Sequence, residues 1–512
     1  METRARGQSQ PRKQFPRNLE SEHFNYLKFA PRGHKLLAPL LEQPTRACCS
    51  ASKTRFLFAV CISKSLSMAE STVLLINRRQ HDPELEERLR AGHSKPAPHG
   101  RFRSLGLGLI TGAADDDPAA IGTYAAAGAA FGPALLWTAP VTFPMMFSVV
   151  YLCSKLGQVT GEGLFAVIKR HYPRWLLFSV LLGALIGNVV EAGADLGGMA
   201  AALHLIVPVP AWAIVLVITI AVVLLQVLGS YTLIRNIFRW LALALLAYVG
   251  AAFLAQPDWA TVLKDTFIPH MRFNAHTFSM LVAIVGTTLS AYLYSWQSNE
   301  DVEEDISLGR RRLTDRLGTT QKELRHSAKD IGIGMLFSNI VMYFIILSTA
   351  ATLFKVGKHD ITTAADAAQA LTPIAGKLAG VLFAAGVVGV GFLAVPIMTT
   401  GAAYDLCQAL GWKHGLHYPP AEVKRFNVAI AIFTATAMLL NFIGINPIKA
   451  LVWSSIVQGF STPFLMLLIM LTTTNPKIMG KWVNTKAMNI LGWVTTIAIF
   501  GASAGLIIAW LK

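Results

Sequence analysis

The chain has 512 residues, of which 53% are hydrophobic and only 14% charged, and its mean hydropathy is +0.48. Soluble domains carry about 25% charged residues, so this composition excludes an ordinary water-soluble fold and indicates a multi-span membrane protein. The net charge of +16 would suit a nucleic-acid binder, but the first 103 residues alone hold 19 Lys and Arg against 9 Asp and Glu. The other basic residues cluster in alternate loops, which is the pattern of membrane topology, and no nucleic-acid partner is expected.

Residues 1–103 are rich in Arg, Pro, Ser and His and lack sustained periodicity. They read as a basic, largely disordered cytoplasmic tail. Residues 56–77 are its most apolar part, but Lys64 and Glu70 interrupt them and nothing resembles a cleavage site, so a span or targeting signal is the lesser reading. Met68 opens a second plausible beginning and is a candidate native start. Cys48, Cys49 and Cys61 lie in this tail, and Cys153 and Cys407 lie in or beside apolar runs; no disulfide framework is indicated.

From residue 104 onward, apolar runs long enough to cross about 30 Å recur. They fall near 104–129, 133–154, 176–204, 212–229, 236–256, 276–298, 331–354, 377–410, 426–444, 448–473 and 488–511. The loops between them alternate. Basic ones carry Lys155 to Arg174, Arg235 and Arg239, Arg310 to Lys329, Lys413 to Arg425, and Lys477 to Lys486. The others (129–133, 205–211, 257–275, 355–376 and 444–447) are short or poor in Lys and Arg. The positive-inside rule places the basic set and the N-terminus in the cytoplasm, and the C-terminus outside. The fold class expected is all-α integral membrane with eleven transmembrane helices. A first repeat covers 104–256, a second covers 276–473, and a peripheral helix covers 488–511.

The first run carries Asp115, Asp116, Asp117 and Pro118 in its middle. A charge at the bilayer centre costs about 2.5–3.5 kcal/mol even on lenient scales. Pro118 lacks an N–H, and the residue before a proline is pushed off helical geometry, so the helix should break here. A broken membrane helix lined by acids is how transporters build cation sites. Carboxylates with freed carbonyls are hard ligands that suit Mg2+, Ca2+ or Mn2+; a protonated or Arg-paired buried acid is the structural alternative. The sixth run gathers Gly286, Thr287, Thr288 and Ser290 at its midpoint, where helix propensity is weak. Two breaks five spans apart point to a 5+5 inverted repeat with the site between its halves, although close helix packing alone would also use such residues.

In the third run Glu191 and Asp195 share a helix face, with Asn188 on the same face. They suggest a second cation site, a pathway lining or proton handling, or simply a polar contact to a neighbouring broken-helix end. The acidic run 299–305 reads as a solvated face, with a cation-concentrating vestibule as the alternative. Ser454, Ser455 and Gln458 form a polar stripe suited to packing or to a gate. No Walker, GxSxG, HExxH or Rossmann pattern occurs, so no enzyme is expected.

The stretch 106–132 resembles the first helix of the Nramp divalent-metal transporters, whose mark is Asp-Pro-Gly-Asn, and the resemblance extends over the whole membrane part. It implies a LeuT-type inverted repeat with helices 1 and 6 broken. Here the motif reads Asp117-Pro118-Ala119-Ala120, and the family's Ala-Thr-Val-Met-Pro-His reads Thr287-Thr288-Leu289-Ser290-Ala291-Tyr292. The resemblance thus implies a metal site at Asp117, Ala120, the Thr287 carbonyl and Ser290, with Asp116 adding field. It makes Asp115, Asn188, Glu191, Asp195 and Tyr292 pathway or coupling candidates. Serine in place of the methionine removes a soft ligand. Asn188 stands where the family has a proton-carrying Asp, and Tyr292 where it has a His. The pattern is closest to the family's magnesium-transporting branch. It implies import of Mg2+, and also Mn2+, without proton coupling. The rival expectations are a proton-coupled Mn2+/Fe2+ symporter and an amino-acid symporter on the same fold. An intramembrane enzyme and a channel that conducts without rocking are more remote. The setting expected is the bacterial inner membrane, as a monomer, with no cofactor besides the transported ion.

Overall fold

The computed structural model describes residues 107–228, 245–269 and 274–511. The N-terminal tail, the candidate start at Met68 and the first part of the expected fifth span lie outside the described residues. Every regular element among those described is helical.

The first span is two half-helices, α1 (Leu107–Asp115) and α2 (Pro118–Phe131). Pro118 not only ends the first half but begins the second: it occupies the first helical position, where the missing N–H costs nothing. Next come α3 (Thr138–Thr160), α4 (Arg174–His204), α5 (Ala211–Leu228) and α6 (Ala247–Leu254). The sixth span is again split, into α7 (Ala275–Thr288) and α8 (Ala291–Ser307). The second half continues with α9 (Gln321–Thr352), α10 (Ala379–Leu410), α11 (Lys424–Leu439) and α12 (Pro447–Thr473), and α13 (Lys486–Leu511) closes the chain. Among the described residues, eight helical stretches are long and apolar enough to cross a membrane. Exposed Ile490, Val494, Ile497 and Ile508 give α13 a lipid-facing stripe.

The packing exchanges partners between the two halves. The α1/α2 pair lies against α9, the second span of the second half, while α8 lies against α3, the second span of the first half. At the centre α4 packs on α10, and α12 packs on α4 and α7. These are the reciprocal contacts of the expected inverted repeat. Glycines set two of the closest approaches. A Cβ at Gly112 would collide with the Gly334 backbone where α1 crosses α9, and one at Gly286 would collide with the Ser455 carbonyl where α7 crosses α12.

Two expectations change. The acidic run after the sixth span is not a solvated face: Asn299, Glu300, Asp301 and Asp305 are buried. The helix continues to Ser307 because these groups find partners. Gln158 and Gln297 donate to Asp301 at 3.0 and 3.1 Å, and Arg310 pairs with Asp305 at 2.6 Å. The seventh span starts almost three turns before the apolar run, at Gln321, because Thr320 and Glu323 form a reciprocal capping box. Several loops carry short helices: Leu164–His171, Trp259–Phe267 and Ala364–Ala368.

Candidate functional site

The two breaks correspond closely. Asp116 and Asp117 separate α1 from α2; Leu289 and Ser290 separate α7 from α8. Both hinge residues are extended, Asp117 at φ −63°, ψ 173° and Ser290 at φ −65°, ψ 134°.

Asp117 is the N-cap of α2. Its Oδ1 accepts the Ala120 N–H at 2.7 Å, which explains why Ala120, with no ligating side chain of its own, matters to the site through its backbone. The Tyr292 hydroxyl lies 3.1 Å from Asp117 Oδ2 and 2.7 Å from the Ala114 carbonyl. Ser290 behaves differently. Its hydroxyl donates to the Gly286 and Thr287 carbonyls at 3.0 and 2.8 Å, satisfying the open end of α7. The Thr287 carbonyl therefore already accepts one hydrogen bond, while Thr287 Oγ1 is buried without a partner.

The three consecutive carboxylates do not converge. Asp115 and Asp116 turn towards α9, where Ser338 Oγ lies 2.7 Å from Asp115 Oδ2 and 3.2 Å from Asp116 Oδ1. Asp115 Oδ1 and Asp116 Oδ2 have no hydrogen-bond partner. Among the described residues no three His, Cys, Asp or Glu side chains form a ready-made metal cluster. Ser338 escaped sequence reasoning, although Ser338-Asn339 is a polar pair inside an apolar run.

The α4 candidates divide between two tasks. Asp195 reaches the first break, where its Oδ1 accepts the Ala119 N–H at 2.9 Å. Glu191 Oε2 accepts from Gln458 Nε2 at 2.6 Å, and Asn188 Oδ1 lies 3.4 Å from the same nitrogen. Gln458 thus binds α12 to the acidic face of α4. Ser455 meets Thr123 at 3.0 Å. Asp405 on α10 is a further buried acid, with the Ser295 hydroxyl as its polar neighbour. A single acid inside an apolar run was the signal for it.

Asp115, Asp116, Asp117, Glu191 and Asp195 have no solvent-exposed surface. Tyr124 and Thr288 hydroxyls, 3.0 Å apart, bridge α2 to α7 on one side of the breaks. On the other side Thr111 donates to Gln297 at 2.7 Å, bridging α1 to α8. The centre is thus occluded on both sides. Among the described residues no Lys, Arg or His is paired with these acids. Buried carboxylates without basic partners are compensated by a cation or by protons.

Fold and site together define a membrane transporter of the broken-helix, inverted-repeat class, with a carboxylate-lined centre. Residues 108–509 match the family model described as natural resistance-associated macrophage protein-like, Nramp, and the chain belongs to this family. It is 27% identical over 418 residues to the divalent metal cation transporter MntH of Bacillus subtilis, covering 79% of this chain and 91% of that one. It is 26% identical over 433 residues to MntH of Klebsiella pneumoniae, covering 82% and 97%. Among solved structures, the Eremococcus coleocola manganese transporter superposes with a TM-score of 0.59 at 18% identity, over 82% of this chain and 89% of that one. Mhp1, a nucleobase-cation-symport-1 family transporter, superposes with a TM-score of 0.50 at 13% identity, over 78% and 92%. Members of the family are transporters, so the expectation that this chain is not an enzyme holds.

Proposed function

We propose that this protein carries divalent metal cations across the membrane by alternating access, importing Mg2+ and also Mn2+ without proton coupling. The observation that carries the reading is Asp117: fully buried at the meeting of the two breaks, oriented by the Ala120 N–H and Tyr292, and without a basic partner. The curated relatives are named as divalent metal cation transporters. Asp117, the Ser290 oxygen and the Thr287 oxygens would hold the ion, with Asp116 and Asp115 adding negative field. An all-oxygen set without a thioether favours hard ions, and the absence of larger side chains at Ala120 and Ser290 leaves room for retained water, which suits Mg2+. Ion entry closes the network that joins the breaks; rocking of the half-helices opens one bridge while the other holds.

Two side chains argue against proton coupling. Asn188 has no carboxyl, and Tyr292 has no basic nitrogen. An inside-negative potential supplies about 2.3 kcal/mol per charge per 100 mV, and twice that for a divalent ion, so uptake needs no second ion. In this reading the basic loops and the N-terminus face the cytoplasm and the C-terminus lies outside, in line with the positive-inside rule. An amino-acid symporter is disfavoured by the first break itself. The Ala119 and Ala120 N–H groups that would receive a substrate carboxylate are taken by Asp195 and Asp117. A proton-coupled Mn2+/Fe2+ symporter is the second reading, favoured by the buried Glu191 beside the site.

The test is uptake of Mg2+, Ca2+ and Mn2+ into proteoliposomes with a simultaneous internal pH readout. Asp117→Ala is expected to abolish flux, and wild-type-like flux would refute the site. Internal acidification accompanying uptake would favour the symporter.

A further inference from the structure

We propose that Asp195 is a second carboxylate ligand of the transported cation, so that the ion sits between one acid from the broken helix and one from α4. This rests on the cation-transport reading above and specifies its ligand set.

The geometry at the first break carries the proposal. Asp117 Oδ1 accepts the Ala120 N–H and Asp195 Oδ1 accepts the Ala119 N–H, at 2.7 and 2.9 Å. Two carboxylates that bind consecutive amides of one helix start lie side by side. Both are fully buried, and like charges so placed repel strongly in a low-dielectric interior. One of them, Asp117, is an ordinary local cap three residues from its amide. Asp195 is not: it reaches the break from another helix, 76 residues away in sequence. Burying a carboxylate for a single N–H costs more than that hydrogen bond returns. Its other oxygen, Oδ2, is buried with no partner at all.

The neighbours do not supply the missing partner. Glu191 is a further acid within electrostatic reach of both, and Gln458 already binds its Oε2. Tyr292 is committed to Asp117 and the Ala114 carbonyl. Thr287 Oγ1, at the end of the opposing half-helix, is a neutral oxygen that is likewise buried without a partner, as are the carboxylate oxygens Glu191 Oε1, Asp115 Oδ1 and Asp116 Oδ2. A divalent cation between Asp117 and Asp195 gives Asp195 Oδ2 the partner it lacks and balances the two carboxylate charges, so the loaded pair is electrically neutral. Two carboxylates with neutral oxygens also form a harder site than one carboxylate with an amide and a thioether, which bears directly on ion choice.

Asp195→Asn separates a ligand from a helix-positioning residue, because its amide oxygen still accepts the Ala119 N–H while the charge is lost. Mn2+ binding to the purified full-length protein is measured by calorimetry, with thermal unfolding in parallel. The expected result is at least tenfold weaker Mn2+ binding by Asp195→Asn at an unchanged unfolding temperature. Wild-type binding by Asp195→Asn, with weakened binding only in Asp195→Ala, would overturn the proposal and leave Asp195 as a positioning residue. Asp195→Glu provides a second measure should Asp195→Asn fail to fold. It moves the carboxylate by one methylene and is expected to change the ratio of Mg2+ to Ca2+ uptake at least threefold; an unchanged ratio counts against ligation. Asp117→Asn is run alongside. Loss of binding there with wild-type binding in Asp195→Asn sinks only this inference, whereas wild-type binding in Asp117→Asn sinks the site as a whole.

Discussion

The Tyr292 hydroxyl lies 2.7 Å from the Ala114 carbonyl and 3.1 Å from Asp117 Oδ2, so one side chain of α8 ties the end of α1 to the cap of α2. Its single proton is shared between both acceptors. The two breaks are therefore joined through one hydroxyl, and the carboxylate at the centre is oriented from both sides.

Replacing Tyr292 by Phe keeps the ring and removes that proton. Hydrogen bonds to charged groups contribute about 1.5–3 kcal/mol net. Tyr292→Phe is expected to raise the KM for Mn2+ uptake about tenfold while the protein remains folded. An unchanged KM would mean that the hydroxyl does not hold Asp117 in its binding orientation.

Gly286 should not tolerate a methyl group. Its added Cβ would meet the Ser455 carbonyl and the Gly459 backbone, neither of which can swing away. Overpacking of this kind costs about 1–3 kcal/mol. Gly286→Ala is expected to lower the unfolding temperature in detergent by several degrees and to reduce uptake. Gly501→Ala serves as the control, because nothing lies within 4 Å of its Cβ position.

Thr111 bridges α1 to α8 through Gln297 at 2.7 Å, with Glu300 at 3.4 Å. Losing about 1 kcal/mol from one bridge shifts a two-state equilibrium about fivefold. In Thr111→Val, thiol labelling of a cysteine placed at buried Leu293, in a background free of native cysteines, is expected to accelerate by about that factor. Equal labelling rates would show that the bridge does not hold the occluded state.

Two histidines outside the spans, His171 and His414, should make the protein acid-sensitive. Burial holds both pKa values below the ordinary 6.5; Arg170 lowers His171 further, while His417 and Lys169 lower His414 against the opposing pull of Glu303. The unfolded chain therefore binds these protons more readily. The stability each contributes is present above the ordinary value and is lost as pH falls through it. The unfolding temperature is expected to drop between pH 7.5 and 5, and the slope should flatten in the His171→Gln, His414→Gln double variant.

The breaks were legible because their causes are local. Pro118 removes an amide within one turn, and Asp117 caps the helix that Pro118 begins, three residues from its partner. Gly286 to Ser290 marked the second break for similar reasons, although it falls at Leu289 and Ser290 rather than over the glycine. The acidic run 299–305 misled because its burial depends on packing against distant chain as well as on the nearby Gln297 and Arg310. Gln158, which binds Asp301, is 143 residues away.

The sequence alone determined that this chain is embedded in a membrane, where its first and sixth spans break, and that acids occupy the first break, since hydropathy, proline geometry and capping act over a few residues. Only the tertiary structure decided which acids meet. It turned Asp115 and Asp116 to Ser338, 223 and 222 residues away, and brought Asp195 to the N-terminus of α2 beside Asp117. The rotation and crossing of packed helices set those encounters. Close contacts such as that of Gly112 with Gly334 fix that packing, and no local stretch of chain encodes it.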